Sequence, residues 1–135
     1  RLERGQTVDT SRKYIKICEK AEEIQALRHY EYPNSFPGLF RDGDDVFFQK
    51  VGWKKSAIIW LPRQDQLQTM VNPQLSSHGL ISVFYLWTEQ EYGHGWGFDK
   101  GALGVNPSME QLWLAFCLKT LFNKVWDNEK EEWVV

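Results

Sequence analysis

The chain has 135 residues, of which 42% are hydrophobic and 25% charged, a composition typical of globular proteins rather than disordered ones. Sixteen Lys and Arg against 18 Asp and Glu give a net charge of −2, which argues against general nucleic-acid binding. No apolar run is long enough to span a membrane, and residues 1–10 lack the apolar core of a secretory signal. We therefore expect a cytoplasmic protein, with residues 1–9 flexible and residues 10–135 forming a single domain.

Aromatic side chains are unusually frequent. The chain contains 7 Trp, 5 Tyr and 8 Phe, or 15% of its residues. One interpretation is an aromatic-rich core, and the other is a binding surface anchored by aromatic side chains that are half buried and half solvated. The two interpretations are compatible.

The first predicted element is an amphipathic helix that begins after Thr10 or Ser11 and runs to about Leu27. Its apolar residues recur at steps of three and four and form one stripe: Tyr14, Ile17, Cys18, Ala21, Ile24 and Leu27. This pattern predicts a helix that packs against another layer of the fold.

Short strands are predicted next. Asp42-Gly43 is a turn signal, and it predicts a hairpin between the apolar residues on its two sides. The apolar run at 57–61 predicts a buried strand that Pro62 ends. A short helix should follow, with its inward side formed by Leu67, Met70 and Val71.

The segment Leu80–Thr88 is apolar at both odd and even positions, which predicts a central strand covered on both faces. A long ordered loop should follow it, and then a helix over 107–121 with Ser108 as a capping residue. The C-terminal residues 124–134 predict a hairpin. The expected fold is α+β, with a small, mostly antiparallel sheet packed by two long helices and one short helix, and a C-terminal hairpin.

The helix over 107–121 is apolar on nearly every side, so it should be buried in the core or in a subunit interface. We expect an outward stripe containing Leu114 and Leu118 to remain beside the core-facing stripe. A homodimer through this helix would cover the outward stripe. In the alternative, the C-terminal hairpin covers it through Trp126 and Trp133.

The two cysteines, Cys18 and Cys117, both lie in apolar helical patterns, and neither has metal-ligand spacing to another Cys or His. Two buried free thiols are predicted, with a disulfide between them as the alternative. The acidic turn at 42–45 lacks the alternating ligands of a calcium loop, so we expect a turn exposed to solvent. No metal site and no cofactor are predicted.

Two segments are candidates for binding. In the glycine-rich loop Gly93–Gly104, which lacks a known phosphate-binding spacing, we expect aromatic and polar side chains to contact a partner or a small polar ligand. His94, with Asp99 nearby, is the best general-base candidate, although no enzyme motif accompanies it. The candidate residues of this segment are Tyr92, His94, Trp96, Phe98, Asp99 and Lys100.

The second candidate is the start of the short helix after Pro62. Arg63, Gln64 and Asp65 lie where exposed backbone amides favour an anionic group. The alternative interpretation is ordinary capping and surface polarity. No catalytic residue is assigned in either segment.

Three parts of the chain resemble small, uncharacterised phage and prophage proteins of low-GC Gram-positive bacteria. They are residues 60–68 (Trp-Leu-Pro-Arg-Gln-Asp-Gln-Leu-Gln), residues 14–25, and the C-terminal part, which contains Gln-Leu-Trp-Leu-Ala-Phe (111–116), Lys-Val-Trp (124–126) and Glu-Trp-Val (132–134). The resemblance covers about half of the chain and implies a virus-encoded accessory protein in the bacterial host cytoplasm. It implies nothing about the loop Gly93–Gly104.

These observations favour a non-enzymatic binding module that engages a host protein or a small polar ligand, with counter-defence as its role in the host. A small enzyme or a nucleotide-binding protein that uses the loop Gly93–Gly104 is the alternative.

Overall fold

The computed structural model describes residues 8–28, 38–51, 56–71, 76–92, 103 and 107–135. The chain divides into two compact units, Arg1–Arg63 and Gln64–Val135. The first contains α1 (Arg12–Lys20), α2 (Glu22–Gln25), β1 (Gly38–Asp42), β2 (Asp45–Val51) and β3 (Ser56–Leu61). The second contains α3 (Gln64–Val71), α4 (Ser77–Tyr92), α5 (Met109–Phe122), β4 (Val125–Asp127) and β5 (Glu132–Val134). The predicted α+β class is confirmed, while a single domain over residues 10–135 stays a prediction.

The predicted N-terminal helix is two helices. The Ser11 hydroxyl accepts a hydrogen bond from the backbone N–H of Tyr14 and caps α1, as the sequence predicts. Ala21 leaves the helical region at φ −86° and ψ 75°, so α2 starts a new turn and the prediction of one helix to Leu27 is wrong. The apolar stripe is buried as far as Ile24, whereas Leu27 is 52% exposed. Of the segment predicted to be flexible, only residues 8 and 9 are described.

Strands β1, β2 and β3 form an antiparallel sheet with β2 in the centre. The predicted hairpin is confirmed: Asp42 pairs with Asp45 across a two-residue turn, and Gly43 adopts the positive φ of 64° that this tight turn requires. Further along the hairpin, Phe40 lies opposite Phe47, and their rings stack with centroids 5.5 Å apart.

Helix α1 packs against β3, the predicted buried strand. The Tyr14 hydroxyl donates a buried hydrogen bond of 2.6 Å to the carbonyl of Pro62, directly after the strand. Lys50 of β2 and Glu19 of α1 form an ion pair at 3.4 Å. These contacts fix the helix on the sheet within the first unit.

In the second unit, α3 packs against α5 and buries Leu67 and Val71, while Met70 is half buried. The helix predicted over 107–121 is α5: the Ser108 hydroxyl caps its start, as predicted, and Asn123 ends it in the left-handed conformation. All eight residues from 111 to 118 are buried. The sequence left two locations open for this helix, the core and a subunit interface, and its burial within the single chain assigns residues 111–118 to the core.

The outward stripe expected on α5 is absent. Leu114 and Leu118 both have 0% exposure within this single chain, so neither contributes to a surface patch. The expectation failed because the chain itself supplies enough apolar surface to surround the helix. The predicted homodimer through this helix rested on that exposed stripe, so the argument for it no longer holds. The oligomeric state itself stays untested.

The segment predicted as the central strand is the middle of α4. The Ser76 hydroxyl accepts from the N–H of Gly79 at 3.0 Å, and the Ser76 carbonyl accepts from the N–H of Leu80 at 2.7 Å. These bonds start a helix, because the serine side chain satisfies a first-turn N–H that has no partner within the helix. The strand prediction is wrong because Leu80, Phe84 and Trp87 have helical spacing within a pattern that also alternates.

The predicted C-terminal hairpin is confirmed as β4 and β5. Trp126 pairs with Trp133, both are buried, and their ring centroids lie 5.3 Å apart at 65°. The Asp127 carboxylate accepts from the backbone N–H groups of Glu129 and Lys130, which stabilises the turn. Among the described helices, none is long and apolar enough to cross a membrane.

Candidate functional site

The outer side of α4 exposes large apolar side chains. Ile81, Tyr85 and Leu86 are 67%, 61% and 59% exposed, and Val83 is 41% exposed. Side chains of this size are common in cores, and several of them together on one short helix form an apolar surface of the kind that marks interaction sites. Val83 lies about 160° around the helix from Ile81, next to the inward side chains, so we refer to Ile81, Tyr85 and Leu86 as the α4 surface.

Stacked aromatic rings support the inner side of α4. Phe84 lies parallel to Trp113 of α5, with centroids 3.8 Å apart and an interplanar angle of 3°. Phe116 meets both rings edge-on, at 5.3 Å from Phe84 and 5.5 Å from Trp113, and Trp87 lies 5.5 Å from Phe116. This cluster confirms the expected aromatic-rich core and fixes how α4 presents its outer side.

Polar groups border the α4 surface. The Tyr85 hydroxyl hydrogen-bonds to Glu89, and this bond, together with the negative charge of Glu89, raises the pKa of Tyr85. The Thr88 hydroxyl donates to the Tyr85 carbonyl at 2.7 Å. His78 and Ser82 are exposed on the same helix. An apolar patch with polar neighbours resembles the core and rim of a protein–protein interface.

Three candidate residues lie at the start of α3: Arg63, Gln64 and Asp65. The Arg63 guanidinium donates to the carbonyl of Asp44 at the β1–β2 turn. In the first turn of α3, Gln64 is half buried and Asp65 is exposed. The carboxylate of Asp65 already provides the negative charge that a helix start favours, so a second anion there would meet repulsion. These three residues stay a predicted site without further support.

The other candidate residues lie mostly outside the described part of the chain. This applies to His94, Trp96, Phe98, Asp99 and Lys100. Tyr92 is the last residue of α4, and its side chain is also outside the description. Within the predicted loop Gly93–Gly104, only Leu103 is described, and it is buried. The loop prediction is therefore untested.

The thiols of Cys18 and Cys117 are free and buried, as expected. Burial raises the pKa of Cys117 to about 12, and its Sγ donates to the carbonyl of Leu67 at 3.2 Å. Burial also raises the pKa of Cys18 well above its ordinary value. Both thiols stay protonated at neutral pH and serve as core residues. Within the described ranges, no three His, Cys, Asp or Glu residues are grouped as a metal site would require.

Sequence reasoning missed the α4 surface because it assigned this segment to a strand covered on both faces. The signal that finds the helix is the capping serine at 76, followed by apolar residues at 80, 84 and 87. Once the helix is assigned, Ile81 and Tyr85 fall on its other side, one turn apart. Comparisons with protein-family models, with curated proteins and with solved structures gave no match to this chain.

Proposed function

We propose that this protein is a non-enzymatic binding module of the phage accessory type, which engages a host protein stoichiometrically through the α4 surface. The observation that carries the proposal is the exposure of Ile81, Tyr85 and Leu86 on a helix whose other side is held by stacked rings. Exposed aromatic and aliphatic anchors on a rigid support are typical of residues that contribute most of the binding energy at interfaces.

The charges around the α4 surface indicate the chemistry of the partner. Helix α4 contains Glu89 and Glu91 and no Lys or Arg. The second unit as a whole has four Lys and Arg against nine Asp and Glu, whereas the first has twelve against nine. A partner with an apolar surface bordered by basic residues complements this unit best. Binding should therefore weaken as salt concentration rises.

Counter-defence is the biological role that we propose for this binding. It rests on the resemblance of residues 14–25, 60–68 and parts of 111–134 to phage and prophage proteins, together with the α4 surface. A virus-encoded inhibitor that acts by occupying its target needs an exposed contact surface and no turnover. The alternative is a small enzyme or nucleotide-binding protein, and it depends on the loop Gly93–Gly104. Variants in α4 and variants in this loop therefore distinguish the two proposals.

Paired variants test the proposed function. Wild-type protein, Ile81→Glu and Thr120→Glu are immobilised and exposed to a lysate of low-GC Gram-positive bacteria. Thr120 is exposed on α5, so its variant carries the same added charge on a different helix. A specific partner should be retained by wild type and Thr120→Glu, and lost with Ile81→Glu.

Titration with the purified partner then separates binding from turnover. The effect of a binding module on its target should saturate near one equivalent, and His94→Ala should leave it unchanged. Turnover of the target at substoichiometric protein, abolished by His94→Ala, would contradict the proposal and favour the enzymatic alternative.

A further inference from the structure

The net charge of the chain conceals two units of opposite charge. Residues 1–63 contain twelve Lys and Arg against nine Asp and Glu, whereas residues 64–135 contain four against nine. The net charge of −2 averages the two units, so it argues against nucleic-acid binding by the chain in general and says little about a local surface. A surface of the first unit is therefore free to be cationic although the whole chain is not.

Four cationic side chains share one side of helix α1. Successive helical residues are separated by about 100° and rise by about 1.5 Å, so these four fall within an arc of about 100° and a length of about 12 Å: Arg12, Lys13, Lys16 and Lys20. Three of them are exposed and Lys13 is half buried. We refer to these four residues as the cationic face of α1.

The carboxylates around this face do not neutralise it. Within α1, Glu19 is the one acidic residue, and its carboxylate is already bound by Lys50 of β2 at 3.4 Å. Asp9 precedes the helix and accepts from the backbone N–H of Ser11, and two further carboxylates follow in α2, at positions 22 and 23. The acidic residues at both ends limit the cationic face to the length of α1.

The placement of these cations weakens the helix when it is considered alone. Lys16 lies one turn from both Arg12 and Lys20, and like charges at this spacing repel each other. Arg12 and Lys13 lie in the first turn, where the helix dipole disfavours cations, and that turn has no acidic residue. Burial, and then the positive charge of Lys16, lower the pKa of Lys13. Charges that oppose the local rules of helix stability are typical of residues used in binding.

We propose that the cationic face of α1 binds the phosphate backbone of double-stranded DNA without reading its sequence. A phosphate backbone is bound largely through charge, whereas a protein partner is bound through an apolar centre with a polar rim. The arc from Arg12 to Lys13 contains no apolar residue, because the apolar side chains of α1 lie outside it. The face therefore fits a nucleic acid better than an acidic protein.

The charge density of the duplex favours it over a single strand. Duplex DNA carries one charge per about 1.7 Å of its axis, and a single strand one per about 3.4 Å. The length of the cationic face, about 12 Å, therefore corresponds to about seven duplex charges, which is more than its four cations neutralise. Proteins that bind single strands add aromatic rings on which the bases stack, and the cationic face contains none.

Four phosphate contacts set the expected strength of binding. Each contributes about 0.9 to the slope of log K against log salt, so the slope should be about −3.6. Affinity should then fall about 150-fold between about 50 and 200 mM salt. We expect a dissociation constant of about 10⁻⁴ M at physiological salt, the weak end of non-specific DNA binding. The inference concerns residues outside the α4 surface and does not rest on the proposed function.

Paired charge removal tests the assignment. Arg12→Gln with Lys16→Gln removes two cations from the face, and Lys119→Gln with Lys130→Gln removes two exposed cations from the second unit. Fluorescence anisotropy of a short labelled duplex measures binding by each full-length protein over the same salt range. The α1 pair should lower the slope to about −1.8, and the control pair should keep the slope of wild type. Circular dichroism checks that both variants are folded.

Two further probes identify the occupant. A single strand of the same sequence and polyglutamate should both bind more weakly than the duplex, because an extended peptide carries one charge per about 3.3–3.6 Å and so resembles the single strand in charge density. Tighter binding of the single strand or of polyglutamate overturns the proposal in favour of that ligand. Absence of duplex binding at about 50 mM salt, a slope unchanged by the α1 pair, or an equal change with the control pair also overturns it.

Discussion

The carboxamide of Gln25 pairs with the backbone of Trp60 as a neighbouring strand would. Nε2 of Gln25 donates to the Trp60 carbonyl at 2.8 Å, and Oε1 accepts from the Trp60 N–H at 2.8 Å. Trp60 lies opposite Phe47 at a position of the ladder where its N–H and C=O point away from β2. One residue of α2 thus provides both of the bonds that a fourth strand would offer there.

The end of this sheet edge beyond Trp60 is closed in the same way. The carbonyl of Pro62, which is the next one to point outward, accepts from the Tyr14 hydroxyl, and a proline has no N–H to offer. The Arg28 guanidinium lies 5.1 Å from the ring centroid of Trp60 and 3.3 Å from the Asp45 carboxylate. The C-terminal end of the β3 edge is therefore poorly suited to accept a strand from another chain.

We expect Gln25→Ala to lower the free energy of unfolding by about 2–3 kcal/mol, because it leaves a donor and an acceptor unpaired at a part-buried edge. Gln25→Glu keeps the acceptor and loses the donor, so its effect should be intermediate. Glu22→Ala, exposed on the same helix, is the control. Urea unfolding measures all three, and a Gln25→Ala protein as stable as the control would show that water replaces both bonds.

Local signals predicted most of the first unit. The turn at Asp42-Gly43, the apolar run of β3 and the capping Ser11 each act within a few residues, and a sequence shows such signals directly. The bond between Gln25 and Trp60 joins positions 35 residues apart, so no local pattern indicates it. A single glutamine in a helix looks like ordinary surface polarity.

In the second unit, the sequence predicted α5 and failed at α4. Residues 80–88 satisfy two periods at once, since Ile81, Val83, Tyr85 and Trp87 alternate while Leu80, Phe84 and Trp87 follow a helical step. Because residues such as Ile and Val favour strands, the sequence analysis assigned this segment to a strand. The capping by Ser76 and the stack of Phe84 on Trp113 determine the helix instead. The second of these is a tertiary contact, which overrides local propensity.

The helical assignment of α4 makes a prediction that a covered strand does not. Leu80 is 7% exposed and Val83 is 41% exposed. Leu80→Asp should bury an unpaired charge and unfold the protein, whereas Val83→Asp should change the free energy of unfolding by less than about 1 kcal/mol. Thermal unfolding followed by circular dichroism distinguishes the two. Equal loss of structure in both variants would favour a strand buried on both faces.

The indole N–H of Trp113 is buried and has no hydrogen-bond partner among the described residues, although its ring is stacked on Phe84. Trp113→Phe removes this unpaired donor and keeps an aromatic ring, so we expect a loss of stability below about 1.5 kcal/mol. Trp113→Ala removes the stack and should cost about 3–5 kcal/mol. Guanidinium unfolding of both variants checks this difference. A large loss with Phe would indicate that the indole N–H is bonded in solution.

The thiol of Cys117 should make the protein less stable in alkaline solution. Burial raises its pKa to about 12 in the folded protein, whereas an unfolded thiol ionises near pH 8.5. Between these values the unfolded chain loses a proton that the folded chain keeps. The free energy of unfolding should therefore fall by about 1.4 kcal/mol for each pH unit in this window and be unaffected by this thiol below it.

Cys117→Ala isolates this effect from the lysines and tyrosines that also titrate in alkaline solution. The variant should be less stable than wild type at pH 7, because it leaves a small cavity beside Leu67. As the pH rises from about 8.5 to 10.5, wild type should lose its advantage, since only wild type carries the Cys117 thiol, whereas the buried Cys18 thiol is common to both proteins. Ser82→Ala, exposed and without a titrating group, should follow wild type throughout. A constant difference between Cys117→Ala and wild type across this range would mean that Cys117 ionises in the folded protein as readily as in the unfolded chain.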